Sequence, residues 1–477
     1  MKTKKPPINP WLSGLSELAD IEVVREKATQ SGEPTHIPKS LLLEERVKKV
    51  KKLLDQVYVP TDSGCAFILY AIEIITAFMN GRYPDIRTYI SQVNNGFEPT
   101  EGTSFICLTG PAGGGKSALI SALQRVLPPP TTVFLSPEHR RVPIQRLRRV
   151  QVGGKDSNSQ ILKMLANPTY VAGRGRVSEA DAVKHLIQWL YVCGTGGLAI
   201  DEMQFLTQGA NSNTRVAKLL MSVGFPEVPV IYVVNYSLGH KLKKRPQEER
   251  QRLLADPNVL EPDGPRSASW QALIREYVHT LPDLLSVDPV GDAEEIFRMT
   301  AGLPRVLRLL IITAMRQLGR KTDLLITVDT LRYAYRSRSF DVHRADVEAM
   351  LSLSVSDLLA SRRLDLVCPF KGTRTDQEGS STEKQLNLTG QKYSNEESLM
   401  DEEVPLSAQR NLESTLSPNA RKTVRNLRKS QAAVTSRKRK EADVRSIRKK
   451  RQITEADLYA GADAVRKLSR TSRKNRS

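Results

Sequence analysis

The run GPAGGGKS at residues 110–117 constrains this chain more than any other feature. It completes the pattern GxxxxGK[ST], with the apolar run FICLT at 105–109 before it and ALISALQRV at 118–126 after it. The order is strand, glycine turn, helix, which is the context a phosphate-binding loop requires. Without side chains, Gly113, Gly114 and Gly115 let backbone N–H groups curl around an oxyanion. The helix N-terminus behind them adds its dipole. Gly110, Pro111, Ala112, Gly113, Gly114, Gly115, Lys116, Ser117 and Ala118 are the expected cradle. Lys116 is expected to reach the β- and γ-phosphates, and Ser117 to offer its hydroxyl to Mg²⁺. A glycine-rich turn with a surface lysine would not need the flanking strand and helix. The implied ligand is a nucleoside triphosphate.

About eighty residues later the sequence GLAIDEMQFL occupies 197–206. Apolar residues ending in two carboxylates describe a buried parallel strand that presents acids at its C-terminal end, where open α/β sheets bind ligands. Asp201 is expected in the Mg²⁺ shell. Glu202 is placed to polarise an attacking water, a role that hydrolysis needs. A third apolar strand, within residues 228–234, ends at Asn235. That amide either senses the γ-phosphate or the water, or serves as a turn-former. Residues 300–316 open a helix near Pro304, where Arg305 either contacts a phosphate or faces solvent. Between them, Arg250 and Arg252 are candidates for fingers completing a neighbouring subunit's site; the bland reading is a solvated charged helix.

With 477 residues the chain has room for two or three domains. Cys65, Cys107, Cys193 and Cys368 show no paired spacing, which argues for reduced thiols and against a disulfide frame or metal site. The first residues lack a hydrophobic signal core. The apolar stretch 65–79 is short for a bilayer and contains Glu73, so it reads as a core helix. A cytoplasmic protein with no membrane partner is expected. The net charge is +20, and residues 421–477 hold 20 Lys and Arg against 5 Asp and Glu. Three quarters of the excess thus lies in that tail, which favours a polyanion such as nucleic acid. A solvated tail is the alternative. Arg140, Arg141, Arg146, Arg148 and Arg149, together with Lys155, Arg174 and Arg176, are either DNA-facing loops or a charged sheet edge.

The organisation read from this is α/β: a mainly parallel sheet with helical additions. Residues 1–98 form a loosely ordered arm and helical cap, 99–289 the nucleotide-binding core and 290–365 a helical lid. Residues 366–420 read as a disordered linker poor in aromatics, and 421–477 as a disordered basic tail. Thr327 is the expected N-cap of a lid helix.

Taken together, the cap, GPAGGGKS, the IDEMQ strand end, the VPVIYVVN strand and the lid resemble an AAA+ P-loop ATPase. More narrowly, the chain resembles the TnsC/TniB group of transposition regulators, related to MuB. The cues are Asn9, Pro10 and Trp11, LLLEER at 41–46, DEMQFL at 201–206 and ITVDTLRYAY at 326–335. This resemblance implies ATP and Mg²⁺ as cofactors, ATP hydrolysis, and a homo-oligomer, ring or filament, on double-stranded DNA. DNA binding without strong sequence specificity, transposase subunits, a target-selection protein and a bacterial, nucleoid-associated location are implied with it. Lys116, Ser117, Asp201, Glu202 and Asn235 match the family's motif positions. Arg250, Arg252 and Arg305 do not align securely. Two alternatives remain: a replication-initiator or helicase-loader type ATPase, and a nucleotide-gated DNA scaffold with little hydrolysis. Glu202 argues against the scaffold. A metabolic kinase lacks a visible acceptor site.

Overall fold

The computed structural model describes residues 9–38, 40–95, 103–133, 142–166, 178–207, 212–319, 325–353 and 363–370. Among them, seven strands form: β1 (Phe105–Thr109), β2 (Thr131–Val133), β3 (Val142–Ile144), β4 (Arg148–Gln151), β5 (Leu198–Asp201), β6 (Val230–Val233) and β7 (Asp256–Val259). β2 and β3 pair antiparallel as a separate ribbon. The other five make an all-parallel sheet in the order β4-β5-β6-β1-β7.

Every residue of β1, β5 and β6 is buried, as expected of strands covered on both faces. The two-residue alternation of a strand divides β1 between two cores. Ile106 and Leu108 join helices Asp62–Arg82 and Lys116–Val126 on one face. Phe105 and Cys107 join helices Asn158–Ala166, Glu179–Val192 and Ser212–Gly224 on the other. A third core gathers Ala268–Thr280, Ala293–Thr300, Pro304–Leu318, Val328–Tyr335 and Asp341–Leu353. Helix Leu43–Gln56 belongs to this third core through Val47, Val50 and Leu54. Helices Leu43–Gln56 and Asp62–Arg82, both within the expected 1–98 arm and cap, therefore go to different cores. Thr327 caps Val328–Tyr335, its Oγ1 accepting from the Thr330 N–H.

Several expectations need correction. Residues 9–28 are not a loose arm: Trp11 is fully buried, stacked on Tyr83 at 5.5 Å, and the Asn9 amide donates to the Tyr83 carbonyl at 2.8 Å. Trp11 is joined in that core by Leu15, Leu18, Val24 and Ala28, all buried, so apolar burial along the whole segment holds it there. Of the two readings of the basic run, the charged sheet edge fits β4, which is an edge strand. Arg146 and Arg148 are buried, and donate to carbonyls of Ser13 (2.9 Å) and Met164 (3.2 Å). Arg140, Arg141, Arg174 and Arg176 lie outside the described residues, while Lys155 sits in an exposed turn. The apolar stretch at 65–79 belongs to a 21-residue helix, Asp62–Arg82, long and apolar enough to cross a membrane by length and composition. Ile68, Ala71, Ile75 and Met79 on it are buried within the protein. All four cysteines are free thiols, three of them buried.

The expected linker and tail lie outside the described residues from 371 onward. The segment 363–370 packs on the core. Arg363 pairs with Asp346 at 2.7 Å, and His240 Nε2 donates to the Val367 carbonyl at 2.9 Å. Lys243 donates to the Pro369 carbonyl and sits over the Phe370 ring.

Candidate functional site

β1, β5 and β6 end side by side, which brings the glycine loop, the acidic pair and Asn235 to one carboxyl edge of the sheet. From β1 the chain crosses to β4, steps back through β5 and β6 on the same side, and only then passes to β7 on the other side of β1. The carboxyl edge at such a reversal of strand order is the crevice where these sheets take ligands. Gly113 and Gly115 have φ of 85° and 95°, a region open to glycine without strain. Gly115 is the N-cap of Lys116–Val126. Lys116 Nζ donates to the carbonyls of Gly110 and Pro111, both at 2.8 Å. Burial lowers its pKa to about 8; Glu202 opposes the shift and Arg305 adds to it. A cleft of about 500 Å³ opens here, lined by Ala112, Gly113, Lys116, Ser117, Ala118, Asp201, Glu202, Asn235 and Arg305 among others.

The acidic pair meets the loop directly. Ser117 Oγ lies 3.1 Å from Asp201 Oδ1 and 3.4 Å from Glu202 Oε1. Glu202 has φ of 62°, a left-handed conformation uncommon outside glycine and found at functional sites. Its N–H donates to Asp201 Oδ1 at 2.8 Å, and its carboxylate accepts from the Gln204 amide. Asp201 Oδ2 accepts from Arg149 Nη2 at 2.6 Å. Arg149 therefore belongs to the site, although the sequence placed it only in a basic run. Its alternation with Arg148 was the one available signal: neighbours on a strand point to opposite faces.

Asn235, read as either a sensor or a turn-former, stands just past the end of β6. It caps helix Tyr236–Lys243, its Oδ1 accepting from the Leu238 N–H at 3.0 Å, and it lines the cleft. Arg305 lies over the loop, its N–H 3.4 Å from the Gly113 carbonyl and its Cβ 3.0 Å from where a Gly113 side chain would begin. Arg250 and Arg252 are exposed on helix Gln247–Leu253 and do not line this cleft. Sequence reading missed Asp55 and Arg308, an ion pair at 3.5 Å at the cleft mouth. It also missed a second cavity of about 210 Å³ on the other side of the loop. Gly114, Gly115 and Ala118 line it together with Gln30, Tyr58 and Val59. A backbone bridge between Gln30 and Tyr58 builds its wall.

The donors near Ser117 are hydroxyl and carboxylate oxygens. Among the described residues no group of three or more His, Cys, Asp or Glu is placed to hold a metal ion. That set fits Mg²⁺, which takes one or two protein oxygens and completes its shell with phosphate and water.

A sequence profile for the AAA domain matches residues 100–242. No curated protein matches the chain. Solved structures similar to it include Aeropyrum pernix ORC1 in complex with DNA, at 16% identity over 58% of this chain and 75% of that one, with a TM-score of 0.35. The Thermotoga maritima RuvB Holliday junction branch migration motor aligns at 14% identity over 61% and 80%, with a TM-score of 0.29. AMPPCP-bound DnaA from Aquifex aeolicus aligns at 12% identity over 64% and 73%, with a TM-score of 0.31. The α/β core has the AAA+ P-loop ATPase fold.

Proposed function

We propose that this chain is an ATPase that assembles on duplex DNA and regulates transposition, linking target selection to a transposase. The observation that carries the ATPase reading is the meeting of Lys116, Ser117, Asp201 and Glu202 in one cleft. In this reading Lys116 leaves the Gly110 and Pro111 carbonyls for the β- and γ-phosphates, while loop N–H groups hold the phosphate oxygens. Ser117 and Asp201 hold Mg²⁺. When bound, Mg²⁺ neutralises charge on the β- and γ-oxygens. Glu202 orients and polarises the attacking water. The Asn235 oxygen is committed to its helix cap, which leaves its NH₂ as the donor to phosphate or water. Arg305 meets the phosphates from the lid. The base occupies the smaller cavity beside Tyr58. Arg250 and Arg252, exposed and outside this chain's cleft, serve as fingers for a neighbouring subunit in a ring or filament.

DNA binding is supported by the charge of residues 421–477, and the transposition role by the cues at 9–11, 41–46, 201–206 and 326–335. Such a regulator works in the bacterial cytoplasm, on the nucleoid, with a target-selection protein as a second partner. The test combines turnover with assembly. Wild type should hydrolyse ATP and form particles on duplex DNA with ATP or a slowly hydrolysed analogue. Lys116→Ala should do neither. Glu202→Gln should assemble but lose about 10²- to 10⁴-fold in turnover, the range general-base removal gives. Equal turnover of Glu202→Gln and wild type would leave a nucleotide-gated scaffold. Co-purification with a helicase in place of a transposase would move the reading to a loader.

A further inference from the structure

Arg149 brings to the acidic end of the cleft a cation that the phosphate-binding motif does not contain. It sits on the edge strand β4, two residues before Gln151, whose partner in the sheet is Asp201. Its guanidinium donates to Asp201 Oδ2 at 2.6 Å, to Ser121 Oγ at 2.6 Å and to the Ser117 carbonyl at 3.2 Å. One planar fork thus ties the sheet edge, the β5 acid and the first turns of the loop helix together. A lysine cannot reproduce that arrangement bond for bond. The Asp201 side chain is 1% exposed and that of Arg149 19%. The two carboxylate oxygens are divided: Oδ2 goes to Arg149, while Oδ1 faces Ser117 Oγ and the Glu202 N–H.

We propose that Arg149 is a positioning residue that serves Asp201 as a fixed counter-cation. This rests on the triphosphate reading of the cleft. With Arg149 in place, the charge of Asp201 is balanced before any nucleotide arrives, and Oδ1 is already aimed at the Ser117 hydroxyl. The site then takes ATP with or without Mg²⁺, and Mg²⁺ is needed for turnover rather than for binding. Without Arg149, the buried carboxylate would face the triphosphate with Lys116 nearby, a cation the phosphates themselves claim. Like charges a few ångströms apart in a poorly solvated site cost about a hundredfold in affinity or more. Only Mg²⁺ would then make binding favourable.

The experiment is calorimetric titration of the full chain with ATP, in excess Mg²⁺ and in excess EDTA. It compares wild type, Arg149→Gln, Arg149→Lys and the double variant Arg149→Gln with Asp201→Asn. Wild type should lose no more than about tenfold in affinity in EDTA, whereas Arg149→Gln should lose about a hundredfold more. Arg149→Lys keeps the charge and should keep the wild-type ratio. The double variant, with no Asp201 charge left to balance, should regain EDTA binding to within about tenfold of wild type. Arg149→Gln weakening both arms equally, or neither, overturns the proposal in favour of a packing role. If Arg149→Gln does not fold, the double variant decides: near-wild-type affinity in EDTA supports the proposal and its loss overturns it. A wild type that binds only with Mg²⁺ overturns this inference alone. A wild type that binds no ATP even with Mg²⁺ overturns the triphosphate reading beneath it.

Discussion

Lys116 rests its ammonium on two loop carbonyls, and its burial lowers the pKa to about 8. Phosphate binding requires that ammonium. Below pH 8 the proton is already in place; above it, binding must take one up. ATP affinity should therefore be flat at neutral pH and fall as pH rises through about 8, by up to about tenfold per unit. Calorimetry across that range checks it, and an affinity independent of pH would show that Lys116 stays protonated throughout. Other residues of the site were legible to different degrees. Lys116, Ser117, Asp201 and Glu202 sit in contiguous motifs whose spacing carries their chemistry. Asn235 was read as either sensor or turn-former, and the structure gives it the cap and the cleft wall together. Arg149, Asp55 and Arg308 carry no local signature. A charged residue in a basic run or on a helix becomes a site residue only through what folds against it.

Among the elements, β7 and the 363–370 segment were the least legible. β7 reads Asp-Pro-Asn-Val, a poor strand by propensity. It forms at the sheet edge, where proline is tolerated, and Tyr70 of helix Asp62–Arg82 donates to Asp256 at 2.6 Å. The 363–370 segment rests on helix Tyr236–Lys243, the helix that Asn235 caps. Gly239 leaves no space there: a Cβ would come 2.7 Å from Pro369 Cγ. Gly239→Val should lift the segment off the helix. Amide hydrogen exchange within 363–370 should then quicken at least about tenfold, with the exchange of β1 and β5 unchanged. Unaltered exchange in the segment would mean that its hold lies in the polar contacts of Arg363, His240 and Lys243 rather than in the Gly239–Pro369 packing.

For the whole molecule, the sharpest expectation concerns charge. Residues 421–477 hold 20 of the chain's 72 Lys and Arg. Removing them leaves every described residue in place, so ATP turnover should persist while duplex-DNA affinity falls. The salt dependence should flatten by about 0.9 in log–log slope for each DNA phosphate that the tail no longer neutralises. Titrations at several salt concentrations check this, and an unchanged slope would assign DNA binding to residues 1–420. By itself, the sequence determined the phosphate-loop motif, the acidic strand end, the mainly parallel character of the central strands and the helical segments behind them. Each is written in neighbouring residues, as a motif or as a run of buried apolar side chains. Only the tertiary structure decided that β4 lies beside β5, that Arg149 meets Asp201 and Ser117, and that the two expected cap helices serve different cores. Those contacts join residues far apart in the chain. They depend on which apolar faces pack together, and that is settled by the fold as a whole rather than by any local stretch.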